Sequence, residues 1–494
     1  MKQLTPPGER RWAALAVLCV ALIVVTMDTT ILNVALPSLV RDLHASASGL
    51  AWIVDGYTLV FAGLLLTAGS IGDRYGRRGA FGSGLALFAG ASAASALAGT
   101  TGQLVAMRAL TGVGAALVFP ATLSILIHVF TDPLERQKAI AVWAGTAGIG
   151  IGLGPVAGGF LLRHFSWGSV FWVNVPLCLI ALVGARYLLP VSDRGTAKLD
   201  PRGASLSIAA LVTLVYGIIE GPDRGWTSPV VLGSFAVAVV AFAAFVAVEL
   251  RQREPMLDLR LFRNPRFSAA SLSVTTLYFA LFGVIFFQTQ HLQFVLGYDP
   301  LGAGLRTLPF AVVLLVAANA TPRLVARAGS RTVIVTGLSI VAASMLLRTQ
   351  FDAGATYADI LWTQGLFALG MGLTIAPATA LIMSSVPPER AGVGSAINDT
   401  TRQVGGALGV AVMGSVGSSA FRRAIDADSV GSAIGAGMNH DAVAQAFVHG
   451  QNVAAVIGLF VVTVGAVGAW RFLPRQARVV VPSVPVELAV EVDM

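Results

Sequence analysis

Three ionisable residues sit in stretches that exclude water. Asp28 lies in VVTMDTTILN, Asp55 in AWIVDGYTLV and Arg108 in LVAMRALTGV, each flanked by apolar runs. A charge at the centre of a bilayer costs at least ~2.5 kcal/mol, so each must face an aqueous cavity or an opposite charge. A carboxylate there is neutralised by a proton, a cation or a neighbouring guanidinium. Competition among those three is the chemistry of exchange. The competing readings are plainer: Asp28 as a residue that caps or packs, and Asp55 as a helix end wetted by solvent.

Depth brings the three together. At 1.5 Å per residue, Asp28 stands ~24 Å from the start of its run, while Asp55 and Arg108 stand ~8 Å below the opposite ends of theirs. In a hydrocarbon core of ~30 Å they share one layer, and Arg108 is the electrostatic partner.

The elements that position them must be membrane spans. Of 494 residues 55% are hydrophobic and 12% charged, with mean hydropathy +0.77; a soluble globule carries a charged fraction nearer ~25%. Apolar runs predict an all-α polytopic protein of fourteen spans, near 12–37, 50–71, 79–98, 103–127, 138–162, 169–189, 204–220, 229–249, 268–290, 301–322, 331–348, 357–383, 391–415 and 452–473. Loops on one side then hold 24 of the 33 Lys and Arg and loops on the other 6, with Arg108, Arg306 and Arg402 inside spans. Both termini are therefore expected in the cytoplasm. The formal charge of +8 reports this topology rather than a nucleic-acid footprint. Cys19 and Cys178 both fall in spans and say nothing of redox compartment. The first apolar run continues too far for a signal peptide and reads as an uncleaved span.

The chain repeats itself. Gly69 to Phe81 reads GSIGDRYGRRGAF, and Pro322 to Arg331 reads PRLVARAGSR, in which Arg327, Gly329 and Arg331 match Arg74, Gly76 and Arg78. Pro120-Ala121-Thr122 with Glu135-Arg136 recurs as Pro377-Ala378-Thr379 with Glu389-Arg390. Two six-helix bundles follow, 1–190 and 267–494, with 191–266 contributing two inserted spans. Such halves enclose a site near the midplane and rock about it. Residues 417–451 are expected as an outer loop, a small helix or flexible, and the C-terminus as a cytoplasmic tail.

The loop Gly69, Asp73, Arg74, Gly76, Arg77, Arg78 resembles motif A of the major facilitator superfamily, whose glycine spacing and aspartate a mere positive-inside loop would not explain. Met27 to Pro37 resembles the first-span signature of the fourteen-helix drug:proton antiporters, the QacA/EmrB type. Leu104 to Ala116, around Arg108, is similar to motif B, with Thr111 where glutamine is usual. Gly150, Gly154, Pro155, Gly158 and Gly159 look like motif C, the antiporter signature. Asp55 departs from most relatives and is similar to the subset around QacA, where this acid is tied to cationic substrates. Trp167 to Pro176 fits except that Gly168 replaces a common arginine. Further resemblance runs through Leu292 to Gly304 and from Asn398 through Arg402 to Gly406, so that it covers about residues 15 to 415.

What the resemblance implies is a major facilitator fold and a proton-coupled multidrug efflux antiporter of the cell membrane. Asp28, Asp55 and Arg108 would couple proton to substrate, with Arg306, Asn398 and Arg402 as second-half candidates. Asp73 would face the N-terminus of the thirteenth span, accepting from free backbone amides. The partners are small-molecule drugs, protons and the lipid bilayer; the chain acts as a monomer, without nucleic acid, cofactor or metal. The three lysines stand outside any Gly-Lys-Ser/Thr context, which removes a P-loop, and the six histidines are isolated. Gly152 to Ala157 matches a dinucleotide fingerprint in letters only, with no strand before it. A dedicated exporter of one antibiotic or metabolite is the alternative; a membrane enzyme or sensor would need a reactive constellation that the sequence lacks.

If the motif A loop is a gate, Asp73→Asn and Arg77→Ala slow or bias the transport cycle and leave the drug site intact, ~20 Å away by the same rise. Drug affinity measured in one locked conformation then stays constant while transport falls; parallel loss of both contradicts the gate.

Overall fold

The computed structural model describes residues 8–190, 200–252, 255, 257–386, 391–427 and 429–474. The side chain of Asp73, residues Glu389 and Arg390, the 191–199 linker and the end of the C-terminal tail lie outside the described part. The described chain is helical, without a strand. In order it forms α1 (Gly8–Asp42), α2 (Ala47–Tyr75), α3 (Arg77–Ala96), α4 (Thr101–Val129), α5 (Pro133–His164), α6 (Ser169–Trp172), α7 (Asn174–Leu188), α8 (Pro201–Arg224) and α9 (Pro229–Arg251). It continues as α10 (Pro265–Gln290), α11 (Pro300–Leu305), α12 (Leu308–Arg348), α13 (Tyr357–Ser384), α14 (Ala391–Ala424), α15 (Val430–Gly435) and α16 (His440–Phe472). Lipid cannot satisfy a backbone amide, so the chain satisfies its own. Helix starts are fixed locally: Ser46, Thr100, Asp200, Ser228 and Asp299 each accept an amide of the first turn.

Thirteen stretches among the described residues are long and apolar enough to cross a bilayer. One of them, Pro300–Arg348, has 49 residues, and at 1.5 Å per residue α12 alone runs about 60 Å, twice the hydrocarbon core. Here the sequence predicted two spans, 301–322 and 331–348, separated by a loop. The structure has no loop; the helix breaks at Gly329, with φ 80° and ψ 155°. Gly76, its counterpart in the first half, separates α2 from α3 with φ 102° and ψ 125°. Both are backbone conformations that a side chain would strain, so each repeat turns its chain on one glycine.

The stretch 417–451 is mostly helical rather than a loop. α14 runs on to Ala424, α15 is a short helix, and α16 begins at His440, capped by Asn439. Hydropathy misses these extensions because they are amphipathic: Val443, Phe447 and Val448 are buried, whereas His440 and Asp441 are exposed.

The inserted helices are not peripheral. α8 lies against α2, where Trp52 Nε1 donates to Glu220 Oε1 at 3.1 Å and Ile208 packs over Gly63. It also lies against α14, where Ser415 Oγ donates to the Ile218 carbonyl at 2.7 Å and Arg422 pairs with Asp223. α9 packs on α8 and turns Val239, Val240 and Phe242 outward, as expected where the solvent is lipid.

The motif C glycines form a stripe, four residues apart, that beds α5 on α1. A Cβ on Gly154 would overlap Thr30 Oγ1 and stand 2.9 Å from the Ile31 nitrogen; on Gly158 it would stand 2.8 Å from Ile31 Cγ1. Gly159 faces the other way, where a Cβ would stand 2.5 Å from the Pro300 carbonyl oxygen. Pro155 has no N–H for the Ile151 carbonyl, and Thr30 Oγ1 donates to that carbonyl from α1 at 3.1 Å.

Gly154→Ala is therefore expected to lower stability by about 1–3 kcal/mol through overpacking. Gly152→Ala, whose nearest contact is Ala311 Cβ at 3.6 Å, serves as the matched control and should melt with the parent. Equal melting temperatures for the two variants in one detergent would refute the close approach.

Candidate proton and substrate site

Asp28 and Arg108 meet inside the first bundle. Arg108 Nη1 donates to Asp28 Oδ2 at 2.5 Å, and the two side chains are 1% and 0% exposed. A buried pair offsets its desolvation only when its remaining hydrogen-bonding groups are met. Asn174 Nδ2 donates to Asp28 Oδ1 at 2.8 Å and lies 3.5 Å from Ser92 Oγ. Arg108 Nε donates to the Ile53 carbonyl at 3.3 Å, and the guanidinium sits 4.5 Å over the Tyr57 ring. Four helices thus converge: α1 gives the acid, α4 the base, α7 the amide and α2 the carbonyl and ring. A one-residue interruption at Val173, itself helical in φ and ψ, puts Asn174 at the first position of α7. Pro176 fits that first turn because its missing N–H has no partner there to lose.

Asp55, also on α2, does not join this pair. Gly56 packs on α4, a Cβ there standing 3.3 Å from the Val105 carbonyl and 3.9 Å from Arg108 Cβ. The Asp55 carboxyl is fully buried, and neither oxygen has a hydrogen-bond partner among the described residues. A charge left in that position costs several kcal/mol. A proton or a cation would remove the cost.

Other residues singled out in the sequence fall at the edges of the bundle. Arg78 donates to the carbonyls of Arg186 at 2.5 Å and Leu189 at 3.0 Å, closing the C-terminus of α7, and Arg77 reaches the Ser124 carbonyl of α4 at 3.4 Å. Arg74 stacks on its neighbour Tyr75, and Gly69 faces open space. The motif A arginines therefore staple α3 to α4 and α7.

In the second half, Arg402 Nη2 donates to Thr379 Oγ1 at 3.2 Å, that hydroxyl donates to Asn398 Oδ1 at 3.2 Å, and Asp399 pairs with Arg402 at 3.5 Å. The first half repeats the bond: Trp143 Nε1 donates to Thr122 Oγ1 at 3.1 Å. Arg306 stands apart at the C-terminus of α11, its guanidinium 3.6 Å from the Tyr298 ring centroid. No group of three or more His, Cys, Asp or Glu among the described residues could hold a metal.

Asn174, Ser92, Tyr57, Thr30 and Asp399 were not among the residues singled out. For the first four the available signal was a polar residue inside an apolar run; Asp399 stands in the polar stretch NDTTRQ and had only its charge to mark it.

The halves touch at the end of the bundle away from motif A. Thr289 Oγ1 donates to the Asn33 carbonyl at 2.7 Å and Gln293 Nε2 to the Val34 carbonyl at 3.0 Å. A Cβ on Gly304 would overlap the Pro155 carbonyl. The cavity bounded by Val40, Leu50, Phe286 and Phe447 at this end holds about 50 Å³, against the roughly 300–1,000 Å³ of a drug-sized site. This end is shut.

The chain matches the Major Facilitator Superfamily over residues 18–410. It is 39% identical over 423 residues to the multidrug efflux pump LfrA of Mycolicibacterium smegmatis, covering 85% of this chain and 84% of that one. It is 36% identical over 409 residues to the tetracenomycin C resistance and export protein of Streptomyces glaucescens, covering 82% and 76%. Its fold is similar to that of a bacterial homologue of the human lysosomal transporter Spinster in an inward-facing, unoccupied conformation. The TM-score is 0.65 at 18% identity, over 94% of this chain and 97% of the other. With its buried ion pair enclosed by membrane-spanning helices, the chain belongs to the Major Facilitator Superfamily and is a multi-pass transporter of the cell membrane.

Proposed function

We propose that this protein exports lipophilic, cationic drugs in exchange for protons by alternating access, as an antiporter of the fourteen-helix QacA/EmrB type. The count becomes fourteen when the 49-residue stretch is divided at Gly329. The halves are then 1–190 and 267–494, the inserted pair belongs to 191–266, both termini are cytoplasmic and the working unit is a monomer. Support from relatives is direct in kind: one is named as a multidrug efflux pump and another as a resistance and export protein.

The observation that carries the mechanism is the buried Asp28–Arg108 pair, together with the unpartnered, buried Asp55 carboxyl of α2. A proton reaching Asp28 ends its attraction for Arg108, which remains held by the Ile53 carbonyl and the Tyr57 ring. A cationic substrate restores the carboxylate and expels the proton. One acid that accepts either species suffices for antiport. The motif A arginines, anchored on α4 and α7, keep the first bundle in one piece as it turns. A second reading, a dedicated exporter of one antibiotic, draws on the tetracenomycin C relative; accumulation of a panel of fluorescent cations in cells with and without the gene separates the two.

Asp28→Asn should abolish substrate-induced proton release from purified protein. Because it strands Arg108 in a buried site, it should also cost about 3–5 kcal/mol of stability. The double variant Asp28→Asn/Arg108→Gln should recover stability without recovering release. Undiminished release in either would remove Asp28 from the exchange.

Asp55→Asn should impair resistance to divalent cations more than to monovalent ones, by on the order of 1–3 kcal/mol, and Asp55→Glu should keep part of the divalent activity. Minimum inhibitory concentrations for matched mono- and dications measure this. Equal loss for both classes would make Asp55 a proton site or a structural residue.

A further inference from the structure

The second half holds a buried cation for which the described residues supply no carboxylate. Arg348, in the last turn of α12, is 3% exposed. Its Nη2 donates to Gln288 Oε1 at 3.2 Å, a neutral acceptor, and its Nε has no partner. Gln288 is locked in that orientation. Its Nε2 donates to Gln364 Oε1 at 2.7 Å, and Gln364 Nε2 donates to the carbonyls of Arg306 at 3.3 Å and Thr307 at 3.1 Å.

Three residues beyond Gln288, just past the end of α10, His291 is 1% exposed and within electrostatic reach of Arg348. Its Nδ1 lies 2.9 Å from Gln451 Oε1, and its Nε2 has no partner. Phe351 and Phe447 close over the imidazole, with ring centroids 6.1 and 6.4 Å away. The cluster therefore contains two buried polar atoms without partners, one of them on a permanent cation.

The nearby acids are committed elsewhere. Asp352 is exposed and accepts the Gly354 amide; Asp359 is exposed and closes the capping box of α13 on Thr356. Asp299 caps α11 and faces Arg163 at 3.8 Å. Arg306, whose Nε is likewise without a partner, adds to the positive charge. The first half shows the contrast. Arg108 stands seven residues into α4, where an acid balances it; Gln364 stands seven residues into α13, and there an amide pair has replaced the ion pair while an arginine from α12 remains. An uncompensated buried charge costs several kcal/mol, and water would satisfy its hydrogen bond without removing that cost.

We propose that Arg348, Gln288 and His291 form a binding site for one small monovalent anion, either a free halide or the carboxylate of a compound in transit. The anion accepts from Arg348 Nε–H and cancels the guanidinium charge, with the amide of Gln288 holding the guanidinium and His291 lining the site. This site is separate from the Asp28 pair.

The test is thermal unfolding of the purified full chain at constant ionic strength, with gluconate replaced stepwise by chloride, bromide or acetate. The parent is expected to gain about 3 °C or more between ~1 and ~300 mM of the bound anion. Arg348→Gln, which deletes the unbalanced charge and so should fold, is expected to lose the response, and Arg348→Lys to keep a weaker one. A halide response without an acetate response identifies the free ion; the reverse identifies a carboxylate. Bromide anomalous density beside Arg348 in parent crystals, absent in Arg348→Gln, would locate a halide. Equal melting of the parent in every salt, or an unchanged response in Arg348→Gln, overturns the proposal.

Discussion

A charge inside a bilayer has to find its solvent in the protein, and the first bundle is arranged around that demand. Asp28 and Arg108 supply one another's counter-charge, Asn174 and the Ile53 carbonyl complete their hydrogen bonds, and the Tyr57 ring covers the cation. Moving any of α1, α2, α4 or α7 independently would expose an unmet group. The pair thus fixes the mutual position of four helices at its own depth in the bundle. The same rule explains the lipid-facing surfaces, which carry valine, leucine and phenylalanine because nothing there could satisfy a polar group.

Much of this was legible in the sequence because charge is rare in it. Asp28 and Arg108 stand out against apolar neighbours, and the rise of a helix is enough to bring them to one depth. Amides are quieter. Asn174, Gln288 and Gln364 interrupt apolar runs without a charge that demands a partner, and which amide meets which charge depends on how helices rotate about their axes. Arg348 was hidden for a different reason: the apolar run stops there, so counting loops assigns it to an outer surface, whereas the helix carries it inward. The break at Gly329 was expected as a loop because a repeat of motif A implies one, yet a single residue with positive φ turns the chain without extra length.

The inserted pair shows where pattern reading has least purchase. Hydropathy finds α8 and α9 as apolar spans and cannot say what they lie against. α8 touches α2 through Trp52 and Gly63 and α14 through Ser415 and Arg422, two helices that belong to different repeats. These contacts join polar groups near one end of α8 and small, apolar ones farther along it. A helix attached in this way covers the seam between α2 and α14.

The bond from Thr30 to the Ile151 carbonyl sets what kind of motion the first bundle can make. That carbonyl has lost its own helix's donor to Pro155, so sliding α5 along α1 would leave a bare acceptor in a water-free interface and drive the Gly154 backbone into Ile31. Shear between these two helices is thereby excluded as a small, graded adjustment, and what remains is hinge rotation of the bundle as a body. On the proposed exchange, hinge rotation turns access to Asp28 from one side of the membrane to the other without changing its neighbours. The proposed proton is then felt first at the carboxylate itself, while the glycine stripe keeps α5 bedded on α1.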